Sequence, residues 1–237
     1  MLEVRGLVAG YGRAQILFDL ALEAKAGEVV VLIGRNGAGK STTLKTFAGL
    51  IRPRAGEIRL DGQRIDGMPS YRIARAGLGY VPEDRRIFSE LTVAENLEVG
   101  RQAQRYRVNG KHAPWTFERI VALFPNLGAM HERLGGRMSG GEQQMLTIAR
   151  TLMGNPTTIL LDEPSEGLAP VIVEQMVKAI IELKQAGLCV LLSEQNLRFA
   201  QAVADRAYVI EKGHIRYAGT MAELAADATV REQYLSV

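Results

Sequence analysis

The sequence contains a single cysteine, Cys189, so it can form no disulfide within the chain. That cysteine stands inside an apolar stretch, where the expected role of a small thiol is packing in the core rather than nucleophilic attack. The lack of an internal disulfide fits a protein of a reducing compartment.

An excess of charge of one sign is also lacking. Lys and Arg number 29 and Asp and Glu 26, which gives a formal net charge of only +3. The most basic stretches are Arg85-Arg86 and residues 101–111, and such stretches are usually solvated surface. No block resembles a nucleic-acid-binding arm, so we expect no nucleic acid partner.

Long hydrophobic runs are missing as well. No apolar run approaches the ~18 residues that a transmembrane helix needs, and the stretch MLEVRGLVAG lacks the basic start and apolar core of a signal peptide. The chain of 237 residues is 47% hydrophobic and 23% charged, which is ordinary for a globular protein. Its length suits one sizeable domain, or one domain with an inserted lobe.

The order of the apolar patterns predicts an α/β fold. Strands and one helix are predicted in the first third, at residues 2–7, 16–22, 29–33, 40–49 (the helix) and 57–65 (a hairpin). Helical spacing then dominates, and strands alternate with helices again in the last third, which implies a mainly parallel sheet. We therefore predict a core with an antiparallel β portion, residues 1–83 and 157–237, and an inserted helical subdomain, residues 84–156.

The stretch GRNGAGKST fits the pattern G-x-x-x-x-G-K-[ST], between a predicted strand and a predicted helix. Backbone N–H groups of such a loop cradle phosphates, and the helix N-terminus adds positive potential. Lys40 is expected to reach the β- and γ-phosphates and Ser41 to bind Mg²⁺. The motif predicts a P-loop NTPase core, and the candidate nucleotide-binding residues are Gly34, Arg35, Asn36, Gly37, Ala38, Gly39, Lys40, Ser41 and Thr42.

The stretch TILLDEP is an apolar strand that ends in two carboxylates. Asp162 would hold Mg²⁺, directly or through water, and Glu163 could take a proton from an attacking water. Many strands end in acidic residues, so this stretch alone is a weak signal. Beside a phosphate loop in the same sheet it becomes a second sign of a nucleotide site, because strand ends converge on one crevice.

The stretch MSGGEQQ combines a helix start with costly glycines. Ser139 and Glu142 are spaced as a capping box for the helix that follows. Gly140 and Gly141 in the first turn are unfavourable for a helix and leave bare N–H groups, which favour an anion.

With these three motifs in this order, the sequence resembles the ATP-binding subunits of ABC transporters. GRNGAGKS looks like the Walker A motif of that family, TILLDE like Walker B and SGGEQ like the signature. The resemblance covers essentially the whole chain and implies an ATPase that pairs head to tail with a second such subunit. ATP would then lie between the Walker motifs of one subunit and the signature of the other, here Ser139, Gly140, Gly141 and Glu142.

The same resemblance assigns a role to Tyr11, which falls where the family places an aromatic residue that stacks on adenine. A packed tyrosine at a strand edge is the alternative.

Three positions depart from the residues usual in the family. Where the core meets the helical subdomain the family usually has Gln, and YVPED has Glu83, which the resemblance implies as a further Mg²⁺ ligand. After the Walker B glutamate, PSEGLAP has Ala169 in place of an Asp. At the end of the next strand the family usually has a His that touches the γ-phosphate, and that position is Gln195.

The neutral amide of Gln195 can donate one hydrogen bond to phosphate and accept another from water, but unlike His it cannot become cationic. We predict that Gln195 orients the γ-phosphate and the attacking water and serves as a catalytic residue beside Glu163. The alternative is that Gln195 only caps its strand.

Unusual residues in several motifs narrow the resemblance. The stretches YVPEDRRIF, ELTVAENL, SGGEQQM, DEPSEGLAP and SEQN together resemble the shorter of the two ATPases in importers for branched-chain amino acids. In that class the partner ATPase is a different, related chain that carries the His. The resemblance thus implies a heterodimer, with a homodimer as the alternative, permease subunits, an indirect substrate-binding protein and a peripheral place on the cytoplasmic face of the inner membrane.

The candidate contacts to the membrane-spanning subunits follow Glu83 directly, and they are Arg85, Arg86, Ile87 and Phe88. Ile87 and Phe88 could instead be ordinary core of the helical subdomain.

Three other functions stay open. A close relative of this importer class serves urea and short amides. An exporter ATPase for lipid or lipopolysaccharide has similar length but would be expected to keep the His and the Gln. A soluble ABC ATPase that acts on nucleic acid or ribosomes usually carries two ATPase units or a long coiled coil between the motifs.

Overall fold

The computed structural model describes residues 1–101 and 113–234. Its strands are β1 (Leu2–Tyr11), β2 (Ala14–Ala24), β3 (Val29–Ile33), β4 (Ala55–Leu60), β5 (Gln63–Arg64), β6 (Leu78–Val81), β7 (Thr158–Asp162), β8 (Cys189–Glu194), β9 (Arg206–Glu211) and β10 (His214–Thr220). Its helices are α1 (Lys40–Phe47), α2 (Ser70–Ala76), α3 (Val93–Gly100), α4 (Phe117–Leu123), α5 (Pro125–Ala129), α6 (Gly140–Leu152), α7 (Pro170–Gln185), α8 (Leu197–Val203), α9 (Met221–Ala226) and α10 (Ala228–Tyr234), with a 3₁₀ turn at Gly135–Arg137. The basic stretch at residues 101–111 lies, apart from Arg101, outside the described residues.

The larger sheet has the strand order β10-β9-β3-β8-β7-β6. Strands β9, β3, β8, β7 and β6 run parallel, and β10 returns antiparallel along β9. Every residue of β3, β7 and β8 is buried, because packed layers cover both faces of the sheet. The mainly parallel sheet predicted from the sequence is confirmed.

The smaller sheet is antiparallel, with the order β2-β1-β4-β5. It covers one face of the larger sheet together with α1, so Val30 and Leu32 of β3 share a buried cluster with Phe47 of α1. Val31 of the same strand faces the opposite way and shares the second cluster with Ile180 of α7. Alternate residues of one strand thus fill two cores, and the predicted antiparallel β portion is confirmed.

The middle of the chain is helical, because α3, α4, α5 and α6 stand between β6 and β7. Helix α6 contacts both α3 and β6. Ser139 begins α6 with the predicted capping box, in which Glu142 returns the hydrogen bond. The division of the chain into a core and a helical subdomain at residues 84–156 stays a prediction. No helix in the described ranges is long and apolar enough to cross a membrane.

One difference from the predicted elements bears directly on the site. The apolar run at residues 188–192 predicts a strand that ends at Leu192, whereas β8 continues through Ser193 and Glu194, whose backbones pair with Leu32 and Ile33 of β3. The hydrophobic pattern cannot predict this extension, because both added residues are polar and yet buried.

Candidate active site

The carboxyl ends of three neighbouring parallel strands meet at one edge of the larger sheet. Strands β3, β8 and β7 lie side by side. The chain leaves β3 at Gly34, β7 ends at Asp162 and β8 ends at Glu194. Because such strand ends open on a common crevice, the fold brings the phosphate loop and the polar strand ends together.

Glycine is required at two positions of the loop after β3. A Cβ on Gly34 would lie 2.3 Å from the carbonyl oxygen of Ile210, so a larger residue would displace backbone. Gly39 has a φ of 112° and stands directly before Lys40, the first residue of α1. The loop therefore leads into the amino end of a helix, where unpaired backbone N–H groups favour an anion.

Lys40 is buried, with 4% of its surface exposed. Its Nζ donates to the carbonyl oxygens of Gly34 at 2.8 Å and Arg35 at 3.1 Å. The same Nζ forms an ion pair with Glu163 Oε1 at 3.0 Å. A buried ammonium needs such partners to offset its lost hydration, and here they come from the phosphate loop and the Walker B carboxylate.

Glu163 is held by three hydrogen bonds to β8 and the loop that follows it. Its backbone has a φ of 46°, which is unfavourable for a non-glycine residue. Its N–H donates to the carbonyl oxygen and the hydroxyl of Ser193, each at 3.1 Å. Gln195 Nε2 donates to Glu163 Oε2 at 3.1 Å. The structure thus places the two predicted catalytic side chains in direct contact.

Asp162 is 1% exposed, and both of its carboxylate oxygens accept hydrogen bonds. Oδ1 accepts from Ser41 Oγ at 2.9 Å and Ser193 Oγ at 2.7 Å, and Oδ2 accepts from the Tyr80 hydroxyl at 3.0 Å. Burial, and next the Asp162 carboxylate, raise the pKa of the Tyr80 phenol. Tyr80 therefore remains a hydrogen-bond donor at any ordinary pH.

These side chains border an open cavity of about 410 Å³. The lining residues are Ile16, Asn36, Gly37, Gly39, Lys40, Ser41, Thr42, Glu83, Glu163 and Glu166. Burial, followed by the charges of Glu163 and Glu83, raises the pKa of the Glu166 carboxyl. The cavity therefore combines one buried cation with three acidic side chains, two of which disfavour the charge of Glu166.

The predicted adenine and signature residues do not line this cavity. Tyr11 lies at the end of β1 and is 50% exposed, so it is not the packed tyrosine of the alternative interpretation. Residues 139–142 lie at the amino end of α6 and are likewise absent from the lining. Within one chain the phosphate loop and the signature are thus separate surfaces.

The two signature glycines have steric reasons of their own. A Cβ on Gly140 would lie 2.7 Å from Arg85 Nη1, and one on Gly141 would lie 2.9 Å from Ile172 Cγ2. Side chains from the segment after β6 and from α7 thus press on the first turn of α6. The sequence gives only the helix cost of these glycines, not these neighbours. The contact at Gly141 is with a branched side chain close to its backbone, whereas the contact at Gly140 is with the end of a flexible arginine that can move away.

The segment after Glu83 has an unusual backbone. Arg85 and Arg86 have φ values of 62° and 51°, both in the left-handed region. Ile87 packs partly buried against the core, as the alternative interpretation expects, whereas Phe88 is 47% exposed. The guanidinium of Arg150 lies 5.0 Å from the Phe88 ring centre. The role of residues 85–88 as contacts to the membrane-spanning subunits stays a prediction.

Ala169 also has a visible consequence. It stands at the N-cap of α7 and has no side chain that can cap the helix. Helix α7 therefore begins without a side-chain cap, at Pro170, a residue that is favourable in the first helical position. An Asp at this position would be able to cap the helix.

Several site residues receive no role in the sequence analysis, although all of them except Ile16 stand inside the quoted stretches YVPEDRRIF, DEPSEGLAP and SEQN. Ser193 and Tyr80 orient Asp162, Glu166 and Ile16 line the cavity, and Glu194 is buried at the end of β8. Ser193 and Glu194 directly precede Gln195, so their position at a strand end is a signal in the sequence. Tyr80 and Ile16 carry no such signal, because only the sheet order brings them to this edge.

A family model described as ABC transporter matches residues 17–166. The high-affinity branched-chain amino acid transport ATP-binding protein BraG of Pseudomonas aeruginosa is 46% identical over 228 residues, covering 95% of each chain. The lipopolysaccharide export system ATP-binding protein LptB of Escherichia coli (strain K12) is 36% identical over 236 residues, covering 99% of this chain and 96% of that protein.

Solved structures of ATP-binding cassettes from ABC transporters are similar to this chain over nearly its whole length. A nucleotide-free ATP-binding cassette from an ABC transporter aligns with a TM-score of 0.82 at 25% identity, covering 98% of this chain and 97% of the other. The ADP conformation of the ATP-binding cassette MJ1267 aligns with a TM-score of 0.81 at 26% identity and the same coverage.

Proposed function

The chain belongs to the ABC transporter family and is an ATPase, and from this premise we propose that it energises an importer for branched-chain amino acids. The observation that carries the proposal is its 46% identity with BraG across 95% of both chains. Gln195, at the position where the family usually has a His, supports the same subclass. ATP binding would close a dimer of ATPase subunits, and hydrolysis would open it.

Binding of the ATP phosphates is assigned to residues 34–42. The buried ion pair of Lys40 with Glu163, 3.0 Å long, supports a transfer of the Lys40 ammonium from the carboxylate to the γ-phosphate when ATP binds. The phosphate would replace Glu163 as the counter-charge. Glu163 would then be free to act on water.

Glu163 is the proposed general base and Gln195 the proposed orienting amide. Their side chains already share a hydrogen bond of 3.1 Å, so both can reach one water molecule placed between them and the γ-phosphate. Gln195 would donate to a phosphate oxygen and accept from the water. Glu163 would take the proton as the water oxygen attacks the γ-phosphorus, while the bond from that phosphorus to the β–γ bridging oxygen breaks and ADP leaves with the electron pair.

Ser41, Asp162 and Glu83 are the residues proposed to hold Mg²⁺. The donor set fits this ion, because Ser41 Oγ and Asp162 Oδ1 lie 2.9 Å apart and Glu83 lines the same cavity. The described residues contain no cluster of three or more His, Cys, Asp or Glu that would form a metal site alone. That agrees with an ion held by few protein oxygens and the phosphates, whose charge it neutralises when bound.

The second half of the ATP site is proposed to come from a partner subunit. The amino end of α6, at Ser139, lies outside the lining of the chain's own cavity. Head-to-tail pairing would bring the partner's equivalent region to the γ-phosphate. We propose a second, related ATPase as that partner, with Tyr11 against the adenine ring.

The membrane partners are proposed to be permease subunits. Phe88, exposed and beside the left-handed residues Arg85 and Arg86, is the central candidate for that contact. The chain would then be held at the cytoplasmic face of the inner membrane. A substrate-binding protein would be an indirect partner and would carry the choice of substrate.

Lipopolysaccharide export is the second candidate function. It is favoured by the 36% identity with LptB over nearly the whole of both chains. The higher identity with BraG and the neutral Gln195 weigh against it.

The test is uptake of labelled leucine by the source organism after deletion of the gene. We expect leucine uptake to be lost and then restored by the wild-type gene, whereas Glu163→Gln restores nothing. The matched control is Glu174→Gln, because Glu174 is an exposed glutamate of α7, and it should restore uptake fully.

Other outcomes separate the competing functions. Unchanged leucine uptake with lost urea uptake would move the substrate to short amides. Unchanged leucine uptake with a lipopolysaccharide defect would establish the export function instead.

A further inference from the structure

Glu194 is a buried acid at the last position of β8 and is only 1% exposed. No ion pair within the described ranges neutralises it, and burial raises the pKa of its carboxyl. A carboxylate in such a position is costly unless hydrogen bonds replace its hydration. Its contacts therefore indicate what it is for.

The carboxylate accepts hydrogen bonds from the backbone of two different loops. Oε1 accepts from the N–H of Ser165 at 3.1 Å. Oε2 accepts from the N–H groups of Gln195 and Asn196, each at 3.2 Å. One oxygen thus faces the loop after β7 and the other faces the loop after β8.

The backbone of Glu194 extends this junction to the phosphate loop. Its carbonyl oxygen accepts from the N–H of Gly34 at 3.2 Å. The single residue therefore touches all three loops that form the crevice.

These contacts fix a distance that hydrolysis depends on. Ser165 follows Glu163 by two residues, and the Gln195 side chain donates to Glu163. The Glu194 carboxylate lies between the two loop backbones and so sets their spacing. Reactivity of an oriented water falls steeply when the groups that hold it shift by as little as ~1 Å.

An amide cannot take the place of this carboxylate. Its three backbone partners are N–H donors, and the Ser165 side chain adds a further hydrogen bond. An ionised carboxylate accepts at both oxygens, whereas a Gln side chain accepts at one and places N–H groups at the other. Glu194→Gln would thus place a side-chain N–H opposite a backbone N–H of at least one loop, while keeping the size of the side chain.

We propose that Glu194 is a positioning residue for ATP hydrolysis, whose carboxylate clamps the loop of Glu163 to the loop of Gln195. This inference rests on the proposed roles of those two residues in hydrolysis. Glu194 acts through them and does not touch the substrate.

Hydrogen exchange of the purified full chain, followed by mass spectrometry, tests the clamp without requiring turnover. In Glu194→Gln we expect exchange at least about tenfold faster in peptides that contain Ser165, Gln195 and Asn196, and unchanged exchange in α6. Glu194→Asp keeps two acceptor oxygens and should give a smaller increase, which also provides a folded variant if Glu194→Gln does not fold. Unchanged exchange in both loops, in a variant that still binds ATP, would overturn the clamp.

The matched control is Asp205→Asn. Asp205 Oδ2 likewise accepts from a backbone N–H, that of Val29 at 2.9 Å, and Oδ1 accepts from Lys184, but at the opposite end of β3. We expect its exchange effect to stay near Val29 and to leave the loops of Glu163 and Gln195 unchanged. Faster exchange in those loops in this variant would mean general loosening rather than a clamp.

Kinetics distinguish positioning from a merely structural role. In the ATPase assembled with its partner subunits, Glu194→Gln should lower kcat by about 10- to 100-fold with KM for ATP within about twofold, and Glu194→Asp should recover part of kcat. Equal kcat per folded molecule would overturn the proposal. Failure of the proposed roles of Glu163 and Gln195 looks different, since Glu163→Gln would then keep the wild-type kcat in the assembled ATPase, whatever Glu194→Gln does.

Discussion

At the residue scale, buried acids of this protein are distinguished by what donates to them. Asp162 receives three hydroxyl donors, Glu163 receives Lys40 and Gln195, and Glu194 receives three backbone N–H groups together with the side chain of Ser165. Hydroxyl donors leave a carboxylate free to share its oxygens with a cation. Backbone donors instead tie a carboxylate to the chain. The same functional group is therefore suited to three different tasks.

Tyr80→Phe should destabilise the protein, because it removes the donor to Asp162 Oδ2 and leaves a buried charged oxygen unpaired. We expect the free energy of unfolding, measured by urea denaturation, to fall by about 1–3 kcal/mol. Tyr71→Phe is the control, since Tyr71 is 55% exposed, and it should change the free energy by less than about 0.5 kcal/mol. Equal effects of the two variants would contradict the role assigned to Tyr80.

Glu166→Gln should stabilise the protein in a pH-dependent way. Burial and the charges of Glu163 and Glu83 raise the pKa of Glu166 above its ordinary 4.5, so its ionised form costs the folded state free energy at high pH. The cost disappears as pH falls below ~4.5, where the carboxyl is protonated in both states. At pH 8 the variant should melt about 1–2 °C above the wild type, and near pH 4 the two should melt together.

A thermal melt of Glu174→Gln provides the comparison, because Glu174 lies exposed on α7. That variant should follow the wild type at both pH values. A Glu166→Gln variant that melts below the wild type at pH 8 would contradict the stabilisation expected from removing the Glu166 charge.

At the scale of elements, the segment between β6 and α3 is held in place by side chains of α3 and α6. Thr147 Oγ1 donates to the carbonyl oxygen of Arg85 at 2.9 Å, and Arg150 Nη2 donates to that of Arg86 at 2.6 Å. Arg85 and Arg86 are the residues of this segment with left-handed backbone, a conformation that costs each on the order of 1 kcal/mol. Helical anchors thus maintain a backbone conformation that the residues themselves disfavour.

Asn96→Ala should release this segment. Asn96 is fully buried and bonds both backbone groups of Phe88, with Oδ1 accepting at 3.0 Å and Nδ2 donating at 3.0 Å. Nδ2 also donates to the carbonyl oxygen of Thr92 at 2.9 Å. We expect a loss of about 2–4 kcal/mol of unfolding free energy and faster proteolysis between residues 85 and 91.

Asn126→Ala is the matched control, because Asn126 is exposed on α5. It should leave both the unfolding free energy and the proteolysis pattern unchanged. Cleavage that is no faster in Asn96→Ala than in this control would contradict the anchoring role.

At the scale of the whole molecule, the two proposed halves of the ATP site lie apart on one chain. The phosphate loop and Glu163 line the cavity, while Ser139 begins α6 on another surface. A phosphate bound at the loop before Lys40 would contact a signature region only if a second subunit supplied that region. Hydrolysis is therefore expected to depend on assembly rather than on the folded chain alone.

The proposed partner is a different ATPase, and this leads to a prediction about concentration. Turnover of the purified chain alone should not exceed that of Glu163→Gln at any protein concentration, although the chain binds ATP. Addition of the related second ATPase from the same organism should raise turnover by about 10-fold or more, because complete composite sites then form. Turnover per chain that rises with concentration in the pure protein would instead show self-pairing.

Much of this architecture is determined by local patterns in the sequence. The apolar run at residues 29–33 predicts a strand buried on both faces, and the structure has it at Val29–Ile33. The glycines before Lys40 predict a phosphate site, because their spacing from the lysine matches the phosphate-binding pattern G-x-x-x-x-G-K-[ST]. The same holds for Ser139 and Glu142, whose capping box depends only on residues three apart. Patterns of this kind are readable because the atoms that interact are close in sequence.

Tertiary structure decided the rest, for a physical reason. The donors to Asp162 come from β6, α1 and β8, and the donors to Glu194 from two loops, so their partners are far apart in the chain and carry no shared spacing. Gly34 is required because Ile210 lies against it, a contact that follows from the order of β3 and β9 in the sheet. The sequence by itself determines which chemical groups the strands deliver. Only the packing of the sheet decides which of those groups meet.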